Sequence, residues 1–394
     1  MKICTVLKGR IENCPPLLRL LSFFYSKGWH TDVLCTGGDG LPPAVLHGVS
    51  FDDRVTAVRV REAEGFLSKM RPVVEVPRLV SALRSRVSTD WDIVFAYNPY
   101  ALLACFLAGV GEEVPLVYYS AELYDEWRFW PQRWCEAIAC KSIRGLIVCQ
   151  EDRGRILREK LRLDVPSLVV PNSCFDYCRA TGWPEKDHND FSSSPRTVFI
   201  YQGVNHLRHR CLRELVQAFG DTDSDVLLRL ALTGDPRVTT HLRSLTAKAK
   251  HPKNFEFIDY VPYPKHFEAA RRCDAGIMLY HPDISLNYRY CAPNKLYEYA
   301  MLGLPVLSSD QDHLRSEIEE NGFGLCVDPR DRNAIMEAMV QMTDAARLQE
   351  MSRRARQWYE TSGRYEVIAS QLEDWCSTVI SGSHRHESSV RAQQ

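Results

Sequence analysis

Pro293-Asn294-Lys295-Leu296-Tyr297-Glu298 sets a proline, a lysine and a glutamate at the head of a segment that Gly303 closes. Proline has a helix-compatible φ and lacks the N–H that a first turn would leave unpaired, while glycine takes the left-handed conformation that ends a helix. The spacing therefore predicts a short helix whose first amides, on Asn294, Lys295 and Leu296, combine with the positive end of the helix dipole into an anion site. Lys295 adds a mobile charge. Helix side chains lean toward the N-terminus, so the Glu298 carboxylate could accept hydrogen bonds from sugar hydroxyls while the amides hold phosphate. A nucleoside diphosphate fits such a cradle. The same residues also suit a capped surface helix with a dipole-favoured glutamate.

Gly203 ends the apolar run Thr197-Val198-Phe199-Ile200-Tyr201, and the loop after it carries Arg208, His209 and Arg210. A glycine at a strand end lets the backbone approach phosphate, and cations in the next loop can neutralise a diphosphate leaving group. Two earlier strand ends repeat the arrangement. Lys8-Gly9-Arg10 follows Ile3 to Leu7, and Asn98-Pro99 follows Asp92 to Tyr97, which makes Gly9 and Asn98 candidates for an acceptor or phosphate loop, with Lys8 or Arg10 meeting the anion. A tight turn would equally require a glycine at position 9. The chain has no Gly-x-Gly-x-x-Gly, which weighs against a dinucleotide oxidoreductase.

The stretch Pro293 to Tyr299, followed by Gly303-Leu304-Pro305-Val306, resembles the donor-site signature of glycosyltransferases of the GT-B fold, in the large retaining set known as group 1 or family 4. That family usually carries two glutamates separated by seven residues; Glu298 falls on the second position and Tyr290 on the first. The resemblance implies that Lys295 and Glu298 handle the nucleotide, with Pro293, Asn294 and Leu296 around them, and that Asn287, Tyr288 and Tyr290 approach the sugar. The loop after Gly203 is similar to the family's Gly-Arg…Lys-Gly loop, with Val204 where arginine is common and Arg210 at the lysine position. Its Tyr201-Gln202-Gly203 form resembles a polysaccharide-type branch. Ala121-Glu122 stands where the family commonly has His-Glu, which leaves Glu122 as the acceptor-side candidate. Arg210 and Lys295 would then stabilise the departing diphosphate in place of a metal, and no cofactor beyond the nucleotide-sugar donor is implied. An epimerase or phosphorylase of the same fold, or a nucleotide-sugar binder without turnover, remains an alternative because of Tyr290 and Ala121.

These residues need rigid strand edges to hold them. Ile3 to Leu7, a helical pattern from Leu17 to Tyr25, and Thr31 to Cys35 make a strand, helix, strand unit that opens a parallel sheet. Further apolar runs follow at Asp92, Pro115, Gly145 and Ser167. After a stretch rich in Ser, Asp, Asn and Pro, the pattern restarts with runs at Thr197, Leu227, Phe255, Asp274, Leu304 and Gly324. The expectation is an α/β protein with two Rossmann-like domains whose parallel sheets face each other across a cleft. Residues 1–175 would form the acceptor-side domain, 176–195 the linker and 196–363 the nucleotide-sugar domain. The resemblance adds a terminal helix over 365–381 that returns to the first domain, and a polar tail over 382–394 reads as disordered.

With 394 residues, 45% of them hydrophobic, the chain is long enough for two cores, and its net charge of −1 gives no general attraction to nucleic acid. Fourteen cysteines without metal-ligand spacing suggest reduced thiols and neither a zinc site nor a disulfide framework. No run is long enough for a signal peptide or a spanning helix, so a cytoplasmic protein is expected. One feature leaves room for a peripheral position on the inner face of a membrane, beside a glycan or lipid-linked acceptor. Between Phe66 and Ser88, Lys69, Arg71, Arg78, Arg84 and Arg86 accompany one acid, Glu75, among apolar residues. Trp127, Phe129, Trp130 and Trp134 interleave with Arg128 and Arg133; a helix packed on the sheet is the commoner explanation of such aromatics, and sugar stacking or membrane contact the others.

Overall fold

The computed structural model describes residues 1–37, 55–61, 71–86, 91–183, 196–261 and 265–391. The chain divides into two compact units, Met1–Phe175 with Ile368–Gln394, and Asp176–Val367. The first holds β1 (Lys2–Leu7), β2 (His30–Thr36), β3 (Val55–Val60), β4 (Ile93–Tyr97), β5 (Leu116–Ser120), β6 (Gly145–Val148) and β7 (Ser167–Val169). They form one sheet in the order β3-β2-β1-β4-β5-β6-β7, with every neighbouring pair parallel. The central strands are apolar on both faces because helices cover both sides, as parallel sheets require; β4 and β5 are buried along their whole length. Leu79 and Leu83 of the Arg71–Arg84 helix and Leu102 and Cys105 of the Pro99–Ala108 helix join this core.

The second unit holds β8 (Thr197–Val204), β9 (Val226–Thr233), β10 (Phe255–Ile258), β11 (Ala275–Met278), β12 (Val306–Ser309) and β13 (Gly324–Val327). Their order is β10-β9-β8-β11-β12-β13, again parallel throughout. Each sheet thus reverses its winding once, between β1 and β4 in the first unit and between β8 and β11 in the second. In open parallel sheets that reversal opens a crevice beyond the carboxyl ends of the strands, where ligands bind.

Strand β3 is absent from the sequence expectation. It lies at the sheet edge and leaves Thr56 and Arg59 exposed, so it lacks the continuous apolar run that marks its neighbours. The aromatic cluster also departs from expectation. The Trp130–Ala139 helix buries Cys135, Glu136 and Ala139, and Trp130 and Trp134, one turn apart, lie on its outer side at 58% and 56% exposure; Trp127 is 83% exposed. Of the stretch expected to link the domains, 184–195 lies outside the described residues, and Tyr177–Thr181 forms a short helix. The last helix runs Leu372–Arg391, past Gly382 where the sequence suggests disorder, and 392–394 lies outside the described residues, as do 66–70 and 87–88 of the basic run.

Candidate functional site

In the second unit, the winding reversal gathers most of the donor candidates. Gly203, near the end of β8, has φ +130, a conformation that side chains other than glycine rarely adopt. A Cβ there would stand 3.1 Å from Lys295 Nζ, so the missing side chain is the space the lysine uses. Lys295 Nζ lies 4.7 Å from the centre of the Tyr201 ring. Burial, reinforced by the nearby Arg210 charge and opposed by Glu298, pulls its pKa down to about 7.

Arg210 stacks its guanidinium 4.1 Å from the centre of the Tyr280 ring and 5.5 Å from that of Tyr288. Its Nε and Nη1 are buried with no hydrogen-bond partner among the described residues. Buried donors of this kind are rarely left open, and two neighbouring cations in a partly buried site repel; an anion would relieve both costs. The loop that carries Arg210 is firmly held. The Arg210 amide donates to His206 O at 3.0 Å, the His281 amide donates to His209 O at 3.1 Å, and His209 Nδ1 lies 3.0 Å from Tyr288 Oη. Tyr280 in turn is fixed to the neighbouring strand, donating its amide to Ser309 Oγ at 2.6 Å and accepting from Gln311 Nε2 at 3.3 Å.

The Asn294–Met301 helix presents Lys295 and Glu298. Pro293 takes the N-cap, with φ −78 and ψ 131, rather than the first turn. The Leu296 amide donates to Pro293 O at 3.3 Å, so it is not among the open donors expected from the sequence. At the other end, the Leu304 amide reaches Tyr299 O at 2.9 Å and the Gly303 amide reaches Ala300 O at 3.0 Å, with Gly303 at φ +67. This is a Schellman ending. Arg356 Nη1 then donates to Met301 O at 2.7 Å and Ser352 Oγ to Gly303 O at 2.6 Å, which pins the helix from behind. Glu298 Oε2 lies 3.4 Å from His266 Nε2, both side chains being 12% exposed, and the His266 carbonyl accepts from Gln202 Nε2 at 2.9 Å. Asn287 and Tyr288 lie on the short helix Leu286–Arg289, and Tyr290 closes it; all three are half-buried.

In the first unit, Gly9 and Asn98 meet at the other winding reversal. Asn98 has φ 96 and ψ 159, strained for a residue with a side chain. Its Nδ2 donates to Lys8 O at 3.0 Å and its Oδ1 accepts from the Ala101 amide at 3.0 Å, so it ties the end of β1 to the start of the next helix. The Gly9 amide donates to Thr36 Oγ1 at 2.9 Å. Lys8, offered with Arg10 as a cation for phosphate, has its Nζ 3.4 Å from Glu75, whose side chain is 2% exposed. Glu122 follows β5 with its side chain 54% exposed, 3.9 Å from Arg153 Nη1. Arg153 holds that turn by donating to Ala121 O at 2.6 Å.

Tyr280 and His266 are parts of the second-unit site that the motif reading does not single out, and Tyr201 enters that reading only within the Tyr201-Gln202-Gly203 run. Tyr280 carries a weak signal, an aromatic at the end of an apolar run. His266 carries none, since it is brought to Glu298 from 32 residues away. Among the described residues no group of three or more His, Cys, Asp or Glu could hold a metal ion.

Residues 196–345, within the second unit, match the family model of group 1 glycosyl transferases. No curated protein matches the sequence. Among solved structures, sucrose-phosphate synthase from Thermosynechococcus elongatus is similar over 97% of this chain and all of its own, with TM-score 0.73 and 15% identity. Anabaena HepE in complex with UDP is similar over 96% of this chain and 100% of its own, with TM-score 0.70 and 14% identity. A putative UDP-N-acetylglucosamine 2-epimerase from Listeria monocytogenes covers 95% of this chain and 97% of its own at TM-score 0.59 and 12% identity. At such identities the likeness is one of fold. The two parallel-sheet units have the GT-B fold.

Proposed function

We propose that the protein moves a sugar from a nucleoside-diphosphate sugar to an acceptor hydroxyl, and that Gly203, Arg210, Lys295 and Glu298 bind the nucleotide part of the donor. The observation that carries this assignment is the pair of buried, unpartnered guanidinium nitrogens of Arg210 in a site shared with a lysine whose pKa burial has lowered to about 7. In the reaction, the bond between the anomeric carbon and the diphosphate oxygen breaks and a bond to the acceptor oxygen forms. The acceptor proton passes to the departing phosphate oxygen, which suits retention at the anomeric carbon. The diphosphate leaves with more negative charge than it had in the donor, and two preorganised cations stabilise that gain without a metal.

Within this reading the Asn294 and Lys295 amides lie toward the phosphates, and Glu298, steadied by His266, accepts from ribose hydroxyls. Asn287, Tyr288 and Tyr290 are assigned to the sugar. Glu122 and the Gly9–Asn98 edge are assigned to the acceptor, a glycan, lipid-linked or small-molecule alcohol. A peripheral position at a membrane belongs to the same reading.

The test is nucleotide release from a donor panel with and without acceptor alcohols, in the wild type and in Lys295→Ala. Loss of one buried oxyanion contact costs about 10²–10³ in turnover. Lys295→Ala should lose at least that much while keeping its fold by circular dichroism. Near-wild-type transfer in that variant would sink the assignment. An epimerase is the second reading, supported by the fold likeness to the Listeria protein. It predicts sugar isomerisation without any acceptor.

A further inference from the structure

We propose that the groove between the Arg71–Arg84 and Trp130–Ala139 helices of the first unit is a docking surface for a bilayer carrying anionic lipid. This assigns a surface to the peripheral position proposed above and rests on that part of the reading alone. The groove encloses about 540 Å³ and is lined by apolar side chains, among them Val73, Val76, Tyr100, Leu103, Trp130 and Trp134. Val73 is 65% exposed, and Trp127 and Leu107 are further exposed apolar side chains of the first unit. Exposed apolar surface of this kind is costly in water unless something covers it. Tryptophan is the side chain that favours the headgroup level of a bilayer, because its ring is apolar and its N–H seeks a polar partner.

Charge selects the occupant. The only acid on the Arg71–Arg84 helix, Glu75, is turned inward onto Lys8, so the outward charge of that helix is entirely positive. Arg71 and Arg84 are exposed on it, and Arg84 is spent on no acid, donating to the Leu107 carbonyl at 2.9 Å. Arg128 and Arg133 are exposed beside the tryptophans, with Glu126 paired to Arg128 at 2.9 Å. A basic rim around an apolar, tryptophan-bearing groove matches an anionic headgroup layer over acyl chains. No helix among the described residues is long and apolar enough to cross a membrane, so the contact is interfacial.

The experiment is sedimentation of the full chain with sucrose-loaded vesicles of phosphatidylcholine alone and of phosphatidylcholine with phosphatidylglycerol, with no nucleotide present. The expected result is binding to the anionic vesicles that weakens with added salt. It should fall about tenfold or more in a Trp130→Ser/Trp134→Ser double variant, which removes exposed rings only. Arg71→Glu/Arg133→Glu should abolish the preference for anionic vesicles. Donor turnover on a soluble acceptor should stay unchanged in the tryptophan variant, which separates failure of this surface from failure of the donor assignment. Absence of binding to either vesicle overturns the proposal. So does equal binding by the tryptophan variant, or self-association by light scattering that the tryptophan variant abolishes, since a second copy would then cover the groove.

Discussion

Lys295 occupies the space that a side chain on Gly203 would take: a Cβ at position 203 would lie 3.1 Å from the lysine Nζ and 3.4 Å from its Cε. The strand end and the helix start are therefore fitted to each other across more than ninety residues of sequence. Gly203→Ala adds one methyl group, forces a residue with φ +130 into a strained conformation and pushes the ammonium aside. Strain of this type costs about 1–3 kcal/mol. Calorimetric titration with the preferred donor nucleotide should show affinity falling by about tenfold or more, a ratio worth about 1.4 kcal/mol. Unchanged affinity in a folded Gly203→Ala protein would mean that the lysine position does not matter for binding.

The lowered pKa of Lys295 gives donor binding a pH signature. In the native protein the group titrates at about 7, against an ordinary value of 10.5, because burial and Arg210 disfavour its charge. Between these values the unfolded chain holds more protons than the native one, so this group makes stability rise with pH across that window. A bound diphosphate favours the ammonium and raises its pKa again. Binding at about pH 8 should therefore take up a proton, and affinity should fall as pH rises from 7. Titration calorimetry in buffers of different ionisation enthalpy reads the uptake directly. Lys295→Met should remove it, and an uptake that persists in that variant assigns the proton elsewhere.

Glu136 sets a second, opposite pH dependence in the first unit. Burial raises its pKa to about 7, although the hydrogen bond from Tyr118 Oη, at 2.7 Å, pulls the other way. A carboxyl with a raised native pKa stabilises the fold fully below its unfolded value, and this contribution is lost as pH rises through about 7. The loss from this group amounts to ~3 kcal/mol. Glu136→Gln keeps a partner for Tyr118 and cannot ionise. Urea denaturation at pH 5 and pH 8 should find the difference between the two conditions smaller in the variant by about that amount. Equal pH dependence in both proteins would contradict the assignment.

Arg356 ties the back of the Asn294–Met301 helix to the start of the second unit. Its Nη1 holds Met301 O and its Nη2 lies 2.7 Å from Asp176 Oδ2, with both side chains nearly buried. Removing one member of a buried pair leaves a charge without compensation, at about 3–5 kcal/mol. Arg356→Met should lose stability on that scale, and Asp176→Asn in the same chain should recover part of it. An additive double variant would show that the two residues do not act as a pair.

The grouping of the second-unit candidates was legible because those residues are close in sequence. Lys295 and Glu298 sit on one short helix whose punctuation, with Gly303 just past its end, reads locally, and Gly203 with Arg210 sits on one strand end and its loop. What sequence leaves hidden depends on distant approach. The stacking of Arg210 on Tyr280, the contact of His266 with Glu298 and the capture of Lys8 by Glu75 each join segments more than thirty residues apart. The outward tryptophans were misread for another reason. Trp130 and Trp134 share a helix face with the one-turn spacing of a core stripe, and periodicity does not say which face is covered.

A thermal-shift screen of nucleotide sugars against the wild type and Lys295→Ala tests the donor site most directly, because a ligand of the native state raises apparent stability by mass action. The account predicts that one nucleoside class raises the melting temperature of the wild type and that Lys295→Ala loses the shift while melting cooperatively on its own. A flat response across uridine, guanosine, adenosine and thymidine donors, or an equal shift in the variant, would contradict it.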